Sequence, residues 1–81
     1  MKNIAEIIRD LREQNGLLLR QVAAEIEIDQ ALLSKIERGE RMPTKEQVIR
    51  LAKFYKVDAS EFLIAFISDK LVYELQDEEV A

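Results

Sequence analysis

The sequence predicts an all-α protein of five helices, on three observations. Apolar residues recur at three- and four-residue intervals in successive segments, as they do along one face of a helix. Residues that favour helix starts precede several of these segments. Glycine or proline lies after or between several of the predicted helical segments. We expect the whole chain, residues 1–81, to form one domain with a small core.

The first helix is predicted over about residues 3–14, and Asn15-Gly16 ends it. The fourth begins at a Thr44 cap, with Gln47 as capping-box partner, and runs to about Tyr55. The fifth begins after Asp58, with Glu61 as the reciprocal partner, and spans about residues 59–76.

Residues 17–39 predict two short helices joined by a tight break. Small Ala23 lets the two backbones approach, and Asp29 is placed to cap the second helix with its carboxylate. The apolar residues at helical spacing are Val22, Ala23 and Ile26 on the first helix and Leu32, Leu33 and Ile36 on the second. This is the helix-turn-helix pattern, whose second helix can lie in the DNA major groove.

Helix five is apolar on more than one face, which gives it more surface than one small core can bury. We assign Phe62, Leu63 and Phe66 to the core. A second stripe is predicted to form a dimer interface and consists of Ile64, Ile67, Leu71 and Leu75. The alternatives are that this stripe packs within its own domain or binds a different protein.

Composition argues against an enzyme, a cofactor or a metal site. Histidine and cysteine are absent, and two glycines cannot build a phosphate-binding loop. The longest apolar run, Phe62 to Ile67, is too short to span a membrane, and the N-terminus does not resemble a signal peptide. We therefore expect a cytoplasmic protein.

The charges are unevenly distributed. Residues 1–56 carry a balance of +2 and residues 57–81 a balance of −6, which together give the net −4. A nucleic acid responds to the local field rather than to net charge. The pattern suits a binding half followed by an acidic segment that faces away.

The stretch SKIERGERMP, residues 34–43, resembles the phage repressor/Cro-type helix-turn-helix family, the xenobiotic-response-element (XRE) class. IIRDLREQNG resembles the first helix of that family and VIRLAKFYKVDASEFL its fourth and fifth, so the resemblance covers about residues 4–63. It implies a compact lambda-repressor-like domain, here with an extended C-terminal helix. It also implies a homodimeric transcriptional regulator that binds double-stranded DNA, with a palindromic operator expected.

In that family the second helix of the motif, about residues 29–38 here, reads DNA bases. The expected base contacts share its outward face and are Gln30, Ala31, Ser34 and Lys35. The expected phosphate contacts are Arg20, Arg38, Arg41, Thr44 and Lys45. The resemblance also pairs Glu37 with Arg12 of helix one as a structural ion pair.

Two departures from the family pattern bear on DNA binding. Glu27 stands where the family has a glycine in left-handed conformation, at a cost of about 1 kcal/mol. Leu18 and Leu19 replace a capping Ser or Thr and a Gln. These departures keep two alternatives open: a protein-interaction module, or an antitoxin-like regulator that binds DNA with one half and a protein partner with helix five.

Overall fold

The computed structural model describes residues 3–80, and it describes their side chains except those of Tyr73 and residues 76–80. The described chain forms five helices and no strand, so the predicted all-α fold is confirmed. The helices are α1 (Ile4–Gln14), α2 (Leu19–Glu25), α3 (Gln30–Glu37), α4 (Lys45–Tyr55) and α5 (Ala59–Val80). α5 continues past its expected end near residue 76 because no glycine or proline interrupts it.

Polar side chains start three of the helices. The Asn3 carboxamide accepts from the Glu6 N–H at 2.9 Å. The capping box of α4 forms: the Thr44 hydroxyl accepts from the Gln47 N–H, and the Thr44 N–H donates to the Gln47 side chain. The Asp58 carboxylate accepts from both the N–H and the hydroxyl of Ser60, and these bonds lower the pKa of Asp58.

Two expected caps are not made. Asp29 occupies the position before α3, yet its carboxylate accepts no capping hydrogen bond. Glu61 does not accept from the Asp58 N–H among the described hydrogen bonds, and the Asp58 carboxylate accepts from Ser60 rather than from the Glu61 N–H. Both predictions identified the helix start correctly and the side-chain contact wrongly.

Each of the first four helices is followed, within two positions of its last residue, by a residue with positive φ. These residues are Gly16 (64°), Glu27 (59°), Gly39 (75°) and Lys56 (57°). The backbone N–H groups of the next residues then bond back to carbonyls near the end of each helix, for example Glu40 N–H to the Lys35 carbonyl at 2.9 Å. The expected left-handed conformation of Glu27 is present. The left-handed Lys56 was not predicted, because lysine carries no signal for it.

The core gathers residues from all five helices. It contains Ile4, Ile8, Val22, Ala23, Ile26, Leu33, Ile36, Val48, Leu51, Ala52, Phe62, Ala65 and Phe66. Leu63 and Ile28 pack against it while partly exposed. α5 thus supplies Phe62 and Phe66 to the core, as predicted, and it packs mainly against α4 and α1.

No helix in the described part of the chain is both long enough and apolar enough to cross a membrane.

Candidate nucleic-acid interface

α3 has one face anchored in the core and one face in solvent. Leu33 and Ile36 are fully buried, which fixes the rotation of the helix about its axis. The opposite side carries Gln30, Ala31 and Lys35, all exposed. Leu32, between the two sides, packs against the core while partly exposed. The exposed face therefore offers an amide, a methyl group and an ammonium to a ligand, which suits the edges of DNA bases.

Ser34 differs from the other expected base contacts, since it is half-buried and already hydrogen-bonded. The Arg38 guanidinium donates to the Ser34 hydroxyl at 3.0 Å and pairs with the Glu40 carboxylate. Both members of the Arg38–Glu40 pair are more than half exposed, and such pairs contribute about 0–1 kcal/mol. A phosphate oxygen can therefore replace Glu40 as the partner of Arg38 at little cost.

The remaining expected phosphate contacts all face solvent. Arg20 lies on α2, whereas Arg41, Thr44 and Lys45 lie in the loop after α3 and at the start of α4. The Thr44 hydroxyl accepts the capping bond, so its own hydrogen remains available as a donor. The first N–H groups of α4 point out of the helix beside it. Three of these four residues, Arg41, Thr44 and Lys45, thus lie in one short segment, whereas Arg20 lies on a separate helix.

Arg12 and Glu37 join α1 to α3 on the side of α3 that faces the core, which we call the inner side. The Arg12 Nε lies 2.8 Å from one Glu37 carboxylate oxygen, and Nη2 lies 2.9 Å from the other. A third bond, Nη1 to the Leu17 carbonyl at 3.0 Å, ties in the loop before α2. The Glu37 side chain is only 5% exposed and that of Arg12 only 18%. The bonds to Glu37 raise the pKa of Arg12, so the guanidinium remains charged.

Tyr55 lies close to this ion pair at the end of α4. Its hydroxyl is buried and makes no hydrogen bond with any residue that the structure describes. Burial, together with the negative charge of Glu37, raises the pKa of Tyr55 to about 12. Its ring packs edge-on against Phe54, with 5.0 Å between the ring centres. Tyr55 is therefore a neutral side chain beside the buried ion pair.

The sequence did not predict the polar contacts that Arg50 and Asp69 make with distant parts of the chain. Arg50 of α4 donates to the Ile26 carbonyl at 3.1 Å and pairs with Glu27 and Glu46. Asp69 of α5 accepts from the Ile4 N–H at 2.8 Å, at the start of α1. The four-residue spacing of Glu46 and Arg50 was a readable signal for one pair. The others depend on how the helices pack.

The start of α2 compensates in part for Leu18. The Gln21 side chain accepts from the Leu18 N–H at 2.8 Å, which is one half of a capping box. Leucine has no side-chain oxygen to return the second bond, so the Gln21 N–H donates to the Leu18 carbonyl at 3.0 Å instead. Leu18 itself is 51% exposed beside Arg20, an apolar residue at the edge of the candidate interface.

Comparison with known proteins agrees with this geometry. The sequence model of the helix-turn-helix family, HTH_3, matches residues 8–62. An HTH-type transcriptional regulator of Deinococcus deserti, DdrOP3, is 32% identical over 69 residues, which are 83% of this chain and 54% of that protein. The chain thus spans about half the length of that curated relative. In fold, it is similar to the clp gene regulator ClgR of Corynebacterium glutamicum.

The ClgR crystal structure superposes with a TM-score of 0.69 at 19% identity and covers 95% of this chain and 82% of ClgR. That similarity supports the fold alone. The packing of α2 and α3 already defines a helix-turn-helix domain with an outward second helix. This packing is consistent with the family match, and the match shows that the chain belongs to the XRE-type helix-turn-helix family of DNA-binding proteins.

Proposed function

We propose that this protein is a sequence-specific DNA-binding transcriptional regulator that acts as a homodimer and places α3 in the major groove. The observation that carries the proposal is the division of α3 into a fully buried face and an exposed polar face. Gln30 pairs with adenine, Lys35 reaches guanine, and Ala31 contacts a thymine methyl group. Ser34 contributes through its hydroxyl while Arg38 holds it in place.

The phosphate contacts come from the two ends of the motif. Arg41 and Lys45, with the Thr44 hydroxyl and the opening N–H groups of α4, bind the backbone on one side of the groove. Arg20 and Arg38 bind it near α2 and the end of α3. These contacts fix the position of α3, whereas the base contacts supply sequence preference.

The dimer is proposed from the second apolar face of α5. Its four residues, Ile64, Ile67, Leu71 and Leu75, are 60%, 61%, 56% and 50% exposed, and they repeat at three- and four-residue intervals. They lie on the side of α5 opposite Phe62 and Phe66. Repressor-type recognition presents two reading helices about 34 Å apart, which requires two subunits held together. A symmetric pair of α5 helices buries this apolar surface in both subunits at once.

The test of DNA binding is a titration against duplexes of random sequence over a range of salt concentrations. For a DNA-binding domain, the logarithm of the affinity falls linearly with the logarithm of the salt concentration. The slope is set by the number of phosphate contacts. No binding at low salt would contradict the proposal and would leave a protein-interaction module. A co-purifying protein together with DNA binding would favour the antitoxin-like alternative.

The test of the dimer is sedimentation equilibrium, with circular dichroism to verify folding, on Ile67→Asp and Leu71→Asp. We expect folded monomers that bind specific DNA poorly. Val72→Asp is the matched control, because Val72 is 54% exposed on the same helix but outside the stripe. A parent chain that is monomeric at tens of micromolar, or variants that stay dimeric, would exclude this interface. The exposed stripe would then favour a different protein partner.

A further inference from the structure

The turn that joins α2 to α3 is built on an unfavourable residue. Glycine takes the left-handed position at the ends of α1 and α3, as Gly16 and Gly39. At the end of α2 the same position is held by Glu27, with φ of 59°. A side chain in this conformation crowds its own backbone, so a further contact to the turn offsets an unfavourable backbone conformation. This turn sets the angle at which α3 leaves α2.

One side chain from outside the motif supplies that contact. The Arg50 guanidinium, on α4, donates through Nη1 to the Ile26 carbonyl at 3.1 Å and lies 3.4 Å from the Glu27 carboxylate. Its Nη2 donates to Glu46 at 2.8 Å, which orients the guanidinium along its own helix. One planar group thus links the last carbonyl of α2, the left-handed residue and α4.

The carbonyl contact matters more than the charge. Arg50 and Glu27 are 40% and 78% exposed, and water weakens ion pairs of this kind. The Ile26 carbonyl, in contrast, lies at the C-terminal end of α2, where carbonyls lack a partner within the helix and attract a cation. Lysine has a single nitrogen and cannot reach the carbonyl and two carboxylates with one fixed geometry.

We propose that Arg50 is a positioning residue for DNA recognition, which holds the Glu27 turn and thereby fixes the orientation of α3 on α2. This inference rests on the proposed function and adds a residue that touches no base. Reading a base edge requires side chains held to within about 0.5 Å, so a looser turn lowers specific binding before it lowers general affinity for DNA.

The experiment combines hydrogen exchange with DNA binding in three variants. Arg50→Gln removes both charge and fork, and Arg50→Lys keeps the charge alone. Lys53→Gln is the matched control, an exposed cation on the same helix that makes no ion pair or hydrogen bond with a described side chain. Exchange is followed at the Glu27 and Ile28 amides, which bond to the Ala24 and Ala23 carbonyls.

We expect Arg50→Gln to speed exchange at these two amides about ten-fold, relative to core amides and to Lys53→Gln. Specific affinity should fall by about the same factor, whereas non-specific affinity should fall only as far as in Lys53→Gln. Arg50→Lys should recover the non-specific affinity that Arg50→Gln loses, but it should not recover the affinity for the specific site. In a Glu27→Gly background, the Arg50→Gln effect on exchange should shrink, since glycine holds the turn without help.

Equal exchange in Arg50→Gln and Lys53→Gln would overturn the inference and leave the proposed function intact. Faster turn exchange with an unchanged ratio of specific to non-specific affinity would show that the turn does not position α3, and would also overturn it. A parent chain that binds no duplex would overturn the proposed function and with it the role in DNA reading. The exchange rates would still decide whether Arg50 holds the turn.

Discussion

Glu37 and Arg38 are neighbours in sequence, yet they lie in opposite environments at the end of α3. Glu37 points inward, 5% exposed, and accepts hydrogen bonds from the Arg12 guanidinium with both carboxylate oxygens. Arg38 points outward, 56% exposed, and pairs with Glu40 at the solvent-exposed surface. The inner pair joins α1 to α3 and has no access to a ligand. The outer pair can exchange its carboxylate for a phosphate.

The comparison shows how one short motif serves two purposes. A helix places consecutive residues about 100° apart, so an acid and a base in sequence need not meet each other. The acid, which would repel DNA, is neutralised inside the fold, and the base is kept at the surface. Variants on the inner side should therefore change stability, and variants on the outer side should change DNA binding.

The largest effect is expected on the inner side. Arg12→Ala should lower the free energy of unfolding by about 3 kcal/mol, because it leaves the Glu37 charge buried without a partner. Arg9→Ala is the control, since its pair with Glu13 on the same helix is exposed and contributes about 0–1 kcal/mol. Urea denaturation measures both. Adding Glu37→Gln to Arg12→Ala should recover part of the loss, and an absence of coupling in this cycle would show that the pair contributes no stability.

On the outer side, Lys35→Ala and Gln30→Ala should each cost about 1–3 kcal/mol of specific binding at one base position. Their urea midpoints should match the parent chain, because both side chains are exposed. Site selection with each variant measures the preference base by base. Unchanged profiles in both variants would remove these residues from the reading face.

Smaller changes are expected from the loop after α3. Arg41→Ala and Lys45→Ala should weaken binding to all sequences alike, and each should lower the salt slope by about 1, because one fewer counterion is released. Titrations at several salt concentrations measure this slope. A changed sequence preference at constant slope would mean that these residues contact bases.

The smallest expected effect on stability at neutral pH comes from the ionisation of Tyr55, whose pKa is raised to about 12. A raised phenol pKa means that the folded state favours the neutral form, so this contribution to stability is complete below about pH 10. It is lost as the pH rises from about 10 toward about 12. Absorbance titration of a Tyr73→Phe variant, which leaves Tyr55 as the sole tyrosine, should show the late ionisation. Titration near pH 10 would contradict the buried environment.

The inner and outer sides of α3 were not equally predictable from the sequence. Apolar spacing identified all five helices and the buried face of α3, because burial follows the helical period. The left-handed Glu27 and the Arg12 partner came from the family resemblance. Neither the Arg50 contact with the Ile26 carbonyl nor the Asp69 contact with α1 was predictable, since each joins residues more than twenty positions apart. Ser34 was predicted to contact a base, and its bond from Arg38 was found only in the structure.

The central claim is that the exposed face of α3 reads DNA sequence in a dimer, and random-site selection with the parent chain tests it most directly. We expect enrichment of a palindromic site whose half-sites lie about one helical turn apart. Lys35→Ala should relax the preference at one symmetric pair of positions. Selection that yields no consensus, or a consensus that Lys35→Ala and Gln30→Ala leave unchanged, would contradict it.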